Sequence, residues 1–172
     1  MGLRIVTRGS MQVYQSNKIT KEDLLERFWF YLKCAADHFG DKNFIETKHG
    51  SLTFKRNYHY AKVISTKIPD LNEDQRFGIG LYLKDPLKII PAMLGSLMGG
   101  LYFIPLDISY PAATLNQISE IGDIRFVISD RMNILRANDI FTGIKGFFNI
   151  DEIDFGEAVD DFDIPYSPDD IM

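Results

Sequence analysis

The strongest constraint on the fold lies in residues 94–111, LGSLMGGLYFIPLDISYP, where signals for a helix, a stop, a strand and an exit follow one another directly. The helix pattern ends at Gly99-Gly100, which offers a residue free to adopt the left-handed cap conformation. The apolar run from Leu101 to Leu106 is too short for a helix and is bounded by glycine and proline. These features predict a strand covered on both faces, with Pro105 at its end, inside an α/β domain.

The helix before the glycine pair carries its own start signals. Asp85 can cap it, and Pro86 suits its first turn, where a missing N–H costs nothing. Its apolar residues recur at three- and four-residue spacings and give one wide apolar face: Ile89, Ile90, Met93, Leu94, Leu97 and Met98. Residues 89–106 form an uncharged run of 18 residues, which is also the length of a candidate membrane span. Because two prolines and three glycines interrupt this run, the helix-and-strand interpretation is favoured and no membrane association is expected.

The rest of the chain alternates between helix and strand periodicity, which predicts an α/β fold with a largely parallel sheet and covering helices. The first predicted helix runs from Thr20 to Gly40, and its buried stripe is Leu24, Phe28, Leu32, Ala35 and Phe39. The later predicted elements are a hairpin of Asn43 to Thr47 and Ser51 to Phe54, a helix from Lys55 to Ile68, a strand from Phe77 to Leu83, a helix from Pro111 to Ile121, a strand from Arg125 to Ser129, a helix from Arg131 to Asn138 and a strand from Gly146 to Ile150.

The charge of the chain is unevenly distributed. The net charge is -5, but residues 151–172 hold nine acidic residues and no Lys or Arg, which leaves 19 basic against 15 acidic residues in the preceding 150. We expect an acidic connecting segment over residues 151–172, an α/β domain over residues 11–150, and an expression-vector leader over residues 1–10, MGLRIVTRGS. The net negative charge argues against a nucleic-acid partner.

Cysteine and histidine give no sign of a disulfide or a metal site. Cys34 is the only cysteine, so no internal disulfide can form. Its apolar helical surroundings predict a packed thiol rather than a nucleophile, and a reducing, cytoplasmic location fits. His38, His49 and His59 are not spaced as ligands with a Cys partner, and we expect them at the surface.

Residues 94–111 closely resemble the second core motif of amino-acid adenylation domains, the ATP-dependent activating modules of non-ribosomal peptide synthetases, where a run like LKAGGAYVPLDPSYP occupies the same place. Further segments resemble the family in the right order: Asp41 to Ile45 and Ser51 to Phe54 ("LTYxEL"), Phe77 to Leu81 ("VGLLL"), Asp107 to Ala113 ("DPSYPAER"), Ile124 to Asp130, and Tyr166 to Ile171 ("xPxDLAYIIYTSG"). The residues that carry these motifs are expected to be structural: Leu52, Thr53, Phe54, Gly99, Gly100, Pro105, Asp107, Tyr110 and Pro111.

The sequence departs from the family pattern at three places. Thr114 stands where arginine is usual, Lys55 to Tyr58 differ from the end of the first motif, and Lys84-Asp85 replaces a more typical pair. These departures bear on the subfamily and the substrate. The resemblance itself implies the N-terminal subdomain of an adenylate-forming enzyme, built as an α/β layer.

The resemblance also implies an activity for a longer parent enzyme. Such an enzyme joins a carboxylic acid to ATP with Mg²⁺, releases pyrophosphate, and passes the acyl group to the thiol of a phosphopantetheine carrier protein. In the family the phosphate loop, the ribose-binding aspartate and the catalytic lysine lie beyond the position of Met172. We therefore expect no catalytic, cofactor-binding or metal residues in this chain, and partners in the remainder of the adenylation domain and in the carrier.

Two groups of glycines are candidates for a phosphate-binding turn. A phosphate site needs convergent N–H groups on a glycine-rich turn that opens a helix. Gly78-Ile79-Gly80 falls inside a strand pattern, whereas Gly95 and the Gly99-Gly100 pair fall within or at the end of a helix, where close packing and capping are expected.

Three carboxylates form one further constellation. Asp85, Asp107 and Asp130 each follow a predicted strand, and the carboxyl ends of parallel strands form one rim where ligands bind. Three carboxylates there could hold a divalent cation. The favoured interpretation is that each caps the helix or turn that follows it.

Two other functions stay open. A naturally short protein would act as a binding or assembly module, and its uncovered sheet would expose apolar surface or bury it in a homodimer. An acyl- or aryl-acid ligase that uses coenzyme A would keep the adenylating chemistry, although the DISYP run favours the peptide-synthetase group.

Overall fold

The computed structural model describes residues 32–68 and 77–156. The predictions for Leu24 and Phe28, for the leader and for residues 157–172 of the acidic segment lie outside the described residues. The helices are α1 over residues 32–39, α2 (Phe54–Lys67), α3 (Pro86–Met98), α4 (Ala112–Ile121) and α5 (Ile134–Ile140). The strands are β1 (Asn43–Thr47), β2 (Gly50–Thr53), β3 (Gly78–Tyr82), β4 (Tyr102–Pro105), β5 (Ile124–Ser129) and β6 (Gly146–Asn149), and a short 3-10 helix, Ile150–Glu152, follows β6.

The strands form two sheets. β1 and β2 pair as an antiparallel hairpin, and the other four strands form one parallel sheet in the order β4-β3-β5-β6. α3, α4 and α5 make the successive crossovers between these strands, as parallel pairing requires. The predicted α/β fold with a largely parallel sheet is confirmed.

β3 contributes apolar side chains to a core on each face of the sheet. All five residues of its GIGLY sequence are buried, and successive side chains point to opposite faces. Ile79 and Leu81 join the core shared with α2 and α3, whereas Tyr82 joins the core shared with α4 and α5. The first core also contains Ile64, Ile68, Ala92, Phe126 and Ile128, and the second contains Leu106, Leu115, Val127, Ala137 and Phe141. The helices therefore cover the sheet from both sides.

The strand predicted over Leu101 to Leu106 forms, but its predicted burial on both faces is wrong. β4 lies at an edge of the sheet and pairs only with β3 among the described strands. Tyr102 and Pro105 are exposed, and the two residues between them are half-buried. Pro105 suits this position, because an edge strand tolerates a residue that lacks the N–H donor.

The termini of α3 follow the sequence signals. The Asp85 carboxylate caps the helix by accepting the N–H of Leu87, with Pro86 in the first turn. At the other end Gly99 is the cap residue and Gly100 has a φ of 78°, the left-handed conformation that glycine adopts readily. Both predicted helix signals are confirmed.

α2 and α3 pack closely where they cross, at Gly95. A Cβ placed on Gly95 would lie 2.7 Å from the Cβ of Ile64 and 2.9 Å from the carbonyl oxygen of Ala61. The absence of a side chain is what lets the two helix backbones approach, so the close-packing role expected for Gly95 is observed.

Two predictions are corrected on the surface of the domain. Cys34 was expected to be a packed thiol, yet it is exposed on α1. α5 begins at Ile134 rather than at Arg131, because residues 131–133 form a turn in which the N–H groups of Met132 and Asn133 donate to the Asp130 carboxylate. None of the helices in the described residues is long and apolar enough to cross a membrane.

Candidate functional site

The candidate site is the rim formed by the carboxyl ends of the parallel strands, since this is where ligands bind in open α/β sheets. Asp85 follows β3, Asp107 follows β4 and Asp130 follows β5. Asp151 follows β6 and completes the row. The chemistry available here depends on what each carboxylate already contacts.

The carboxylates of Asp85 and Asp107 are engaged by local N–H and O–H groups. Oδ1 of Asp85 accepts the N–H of Leu87 at 3.0 Å. Oδ1 of Asp107 accepts both the N–H of Ser109 at 2.8 Å and its hydroxyl at 2.7 Å. These hydrogen bonds hold the pKa of Asp107 below its usual range, and the one from the Ser109 backbone N–H has the larger effect. Both residues organise the start of the segment that follows them, as the capping interpretation predicts.

Asp130 is the buried member of the row. Its Oδ1 accepts the N–H groups of Met132 at 3.1 Å and of Asn133 at 3.0 Å, and also the Nδ2 amide of Asn133 at 2.8 Å. Its Oδ2 lies 3.8 Å from Nζ of Lys88. Asp130 therefore caps the turn before α5 and also lies within ion-pair distance of a cation from α3.

Lys88 links two strand exits. Its Nζ lies 2.6 Å from Oδ1 of Asp151 and 3.8 Å from Oδ2 of Asp130. The other oxygen of Asp151 accepts the N–H of Arg131 at 3.0 Å. Neither Lys88 nor Asp151 is among the site residues predicted from the sequence. Asp151 could have been predicted in the same way as Asp85, Asp107 and Asp130, because it is an acidic residue that follows the last predicted strand.

These contacts predict a pH dependence. Burial by itself would raise the pKa of Asp151. The hydrogen bonds from Lys88 and from the Arg131 N–H, together with the positive charges of the Lys88 and Arg131 side chains, have the larger effect. The pKa of Asp151 therefore lies below its ordinary value. Ionised Asp151 therefore stabilises the fold above about pH 4, and this contribution is lost as the pH falls through the lowered folded-state pKa.

Asp151→Asn tests this dependence. Because the pair is partly exposed, we expect the substitution to lower the free energy of unfolding by about 0.5 to 1 kcal/mol at pH 6. The difference from the native sequence should shrink towards zero near pH 2, as followed by urea unfolding. Asp139→Asn, which alters an exposed carboxylate on α5, is the control and should show little change at either pH. An equal loss at both pH values for Asp151→Asn would contradict the ion-pair explanation.

The arrangement of the rim does not favour cation binding. Each of the three predicted carboxylates is occupied as a cap or an ion-pair partner, as described above. Within residues 32–68 and 77–156, no group of three or more His, Cys, Asp and Glu side chains is placed to hold a metal ion. His38 and His49 are exposed as expected, whereas His59 is half-buried and its Nε2 lies 2.8 Å from the carbonyl oxygen of Phe155.

The glycines of β3 serve packing. A Cβ on Gly80 would lie 2.7 Å from Cδ1 of Leu106, and a Cβ on Gly78 would lie 2.6 Å from the carbonyl oxygen of Gly122. α2 to α5 begin after Thr53, Asp85, Pro111 and Asn133, so none of these four helices opens from a glycine-rich turn. The described residues thus offer no phosphate-binding turn of the kind that a nucleotide needs.

The residues singled out by the motif resemblance lie on β2 and β4, at the ends of α2, α3 and α4, and in the segment after β4. Thr53 caps α2 through its hydroxyl, which accepts the N–H of Arg56, and the ring of Phe54 packs against Phe39 and Phe44. Tyr110 is the most exposed of the motif residues with a large side chain, at 44%. The remaining ones lie in a buried strand position (Leu52), at the end of α3 (Gly99 and Gly100), at the end of β4 (Pro105), in the turn after it (Asp107) and before α4 (Pro111).

A cleft of about 270 Å³ lies beside the ion pair of Lys88 and Asp151. Its walls are mainly apolar and come from α2, α3 and the segment after β6: Tyr60, Leu87, Lys88, Pro91, Ile150, Asp151, Ile153 and Phe155. A second cavity, of about 410 Å³, is lined by residues 36–42 and Lys55, at the turn between α1 and the hairpin. Of these two, the first adjoins the rim.

No family model matches the chain. Solved structures nevertheless share its fold. VinN in complex with 3-methylaspartate superposes with a TM-score of 0.63 at 18% identity, covering 73% of this chain and 34% of that one. The fatty acid AMP ligase from Legionella pneumophila gives 0.62 at 18% identity, covering 74% and 24%. The non-ribosomal peptide synthetase FmoA3 in its AMPPNP-bound form gives 0.64 at 18% identity, covering 78% and 14%.

These likenesses establish the fold. The neighbours are adenylate-forming enzymes, and each matches about three quarters of this chain. The chain spans about a third or less of the length of the structures it matches. The chain therefore shares its α/β fold with a portion of each of these enzymes.

Proposed function

We propose that this chain is the N-terminal part of an ATP-dependent adenylate-forming ligase, of the amino-acid-adenylating kind found in non-ribosomal peptide synthetases. One observation carries the proposal. The motif-bearing residues 94–111 lie on α3, its glycine stop, β4 and the exit that follows, within a fold that known adenylate-forming enzymes share. A local motif and a global fold thus point to the same class of protein.

The parent enzyme would activate a carboxylic acid in two steps. The acid carboxylate would attack the α-phosphorus of ATP and displace pyrophosphate, which would form an acyl-adenylate, and Mg²⁺ held by the parent would balance the phosphate charge. The thiol of a phosphopantetheine carrier protein then takes the acyl group and AMP leaves. The cytoplasm, where ATP is abundant and a lone thiol stays reduced, is the compartment that this chemistry and Cys34 favour.

In this proposal the described residues support the site but do not hold the nucleotide. The starts of α2 to α5 lack a glycine-rich turn, and the rim carboxylates are already engaged. We therefore propose that the chain is not catalytic by itself. The elements that bind ATP and the acid belong, in this account, to the remainder of the parent.

Exchange of labelled pyrophosphate into ATP tests the proposal. The purified 172-residue chain should give no acid-dependent exchange above a blank without protein. Native protein captured from its source cells with an antibody against this chain should give exchange that depends on an added acid. Exchange by the short chain would contradict its non-catalytic role. The same assay with amino acids and with fatty or aryl acids separates the peptide-synthetase assignment from the acyl- or aryl-acid ligase assignment.

A second candidate, an assembly module, is favoured by exposed apolar side chains. Ile121, Met132 and Leu135 are 80%, 86% and 77% exposed, and no described strand pairs with the outer edge of β4 or β6. Such features suit self-association into a homodimer. Analytical ultracentrifugation distinguishes the cases: a concentration-dependent dimer that Met132→Lys with Leu135→Lys dissolves would favour this function, and a monomer at high concentration would exclude it.

A further inference from the structure

Residues 150–156, which we call the strap, follow β6 with little regular structure of their own. They comprise the 3-10 turn Ile150–Glu152, capped by the side chain of Asn149, and four residues after it. Ile150 is buried in the core beneath α2 and α3, and Ile153 and Phe155 pack partly against the same core. The strap therefore runs over the sheet edge rather than away from it.

The first anchor of the strap is Asp151. Its two carboxylate oxygens are divided between two elements, because one meets Lys88 of α3 at 2.6 Å and the other accepts the N–H of Arg131, after β5, at 3.0 Å. Oδ2 of Asp130 also lies 3.8 Å from Nζ of Lys88. The early part of the strap is thus tied to two neighbouring strand exits.

The second anchor is Phe155, which α2 holds through both its ring and its backbone. The rings of Tyr60 and Phe155 stack with centroids 4.1 Å apart and an interplanar angle of 26°. Nε2 of His59 lies at hydrogen-bond distance from the Phe155 carbonyl oxygen, which only a donated N–H can satisfy. Arg56 fixes Tyr60 in turn, by donating to its hydroxyl at 2.7 Å and lying over its ring.

The strap has little regular secondary structure, so its two anchors must supply the free energy that orders it. Ordering the backbone of each residue costs about 1 to 2 kcal/mol, and the contacts from α2, α3 and the β5 exit offset that cost over seven residues. The anchors hold the chain along the rim and close one side of the 270 Å³ cleft, whose walls include Ile153 and Phe155.

We propose that the strap is a positioning device, in which His59, Tyr60 and Lys88 fix the direction in which the chain leaves the carboxyl edge of the sheet. The contacts of these three side chains are enough to hold the strap, whatever reaction the parent enzyme catalyses. If the proposed function also holds, the strap aligns the segment that leads towards the phosphate loop of the parent enzyme.

Hydrogen exchange measured by mass spectrometry on the 172-residue chain tests the strap. Removing the stacked ring with Tyr60→Ala should speed exchange in peptides covering residues 150–156 about tenfold, because an aromatic pair and its burial are lost from a locally opening segment. Exchange in β3 and β5 should change less than about twofold. Lys88→Met should act in the same direction at residues 150–152.

Two control variants remove the same residue types outside the strap contacts. Tyr110→Ala removes a tyrosine from another part of the rim, and Lys84→Met removes an exposed lysine just before α3; neither should alter exchange in the strap. If Tyr60→Ala fails to fold, Phe155→Ser removes the same stack from the strap side. Unchanged exchange in residues 150–156, or equal loss of protection in the strap and in β3, would overturn the proposal. Neither result bears on pyrophosphate exchange, so the strap and the proposed function fail separately.

Discussion

Gly95→Val is expected to destabilise the protein by about 3 kcal/mol, since overpacking at a close helix crossing forces the backbone apart. A Cβ at this position would lie 2.7 Å from the Cβ and Cγ2 of Ile64. It would also lie 2.9 Å from the carbonyl oxygen of Ala61, which cannot rotate away as a side chain would. Replacing a helical glycine improves helix propensity by about 1 kcal/mol with alanine and by less with valine. This gain is too small to offset the cost of overpacking. Urea unfolding monitored by circular dichroism measures the loss.

Gly99→Ala is the matched control for Gly95→Val. Gly99 lies at the end of the same helix with a φ of -77°, which any residue adopts, and a Cβ there would meet its nearest atoms at 3.5 Å. Its stability should change by less than about 0.5 kcal/mol. If both variants are equally stable, the close approach of α2 and α3 at Gly95 is wrong.

Tyr82→Ala is expected to cost about 3 to 5 kcal/mol, because it empties a fully buried aromatic site. Tyr82 is the last residue of β3, has no exposed surface, and meets the ring of Phe141 edge-on with centroids 5.6 Å apart. Its removal leaves a cavity between the sheet and the layer of α4 and α5. Thermal unfolding of the variant should show a much lower midpoint than that of the native sequence.

Tyr82→Phe separates packing from hydrogen bonding. The Tyr82 hydroxyl reaches the carbonyl oxygen of Ile108 only at 3.5 Å, so its loss should cost less than about 1 kcal/mol. Similar losses for the alanine and phenylalanine variants would place the stabilisation in the hydroxyl and contradict the packing account.

Elements with strong local signals could be predicted from the sequence. α3 is the clearest case, because Asp85 and Pro86 define its start and Gly99-Gly100 its end. All four residues act on backbone groups within a few positions of themselves in the sequence. The glycines of β3 were also correctly assigned to a strand. Local propensity suffices where the cause of a structure lies within a few residues.

Strand order and long-range contacts could not be predicted in this way. The apolar run of β4 suggested burial on both faces, but whether a strand lies at an edge depends on which strands pair with it. Cys34 was expected to be packed because its sequence neighbours are apolar, yet exposure depends on which face of α1 meets the domain. The start of α5 was predicted too early because the turn held by Asp130 takes the preceding residues.

The rim shows the same division between local and distant causes. The capping roles of Asp85, Asp107 and Asp130 follow from their position between a strand and a helix or turn, and the sequence predicted them. The bridge from Lys88 to Asp151 joins residues far apart in the chain, and Asp151 had been grouped with the acidic segment on charge alone. Only the parallel arrangement of β3, β5 and β6 brings them together.

The mass of the native protein in its source cells tests the central claim most directly. An immunoblot with an antibody raised against residues 43–156 should show a band well above the 19.7 kDa of this chain, since a ligase with this fold is several times longer than the part matched here. A single band near 19.7 kDa would contradict the proposal that the chain is part of a larger adenylate-forming ligase. It would favour the assembly module instead.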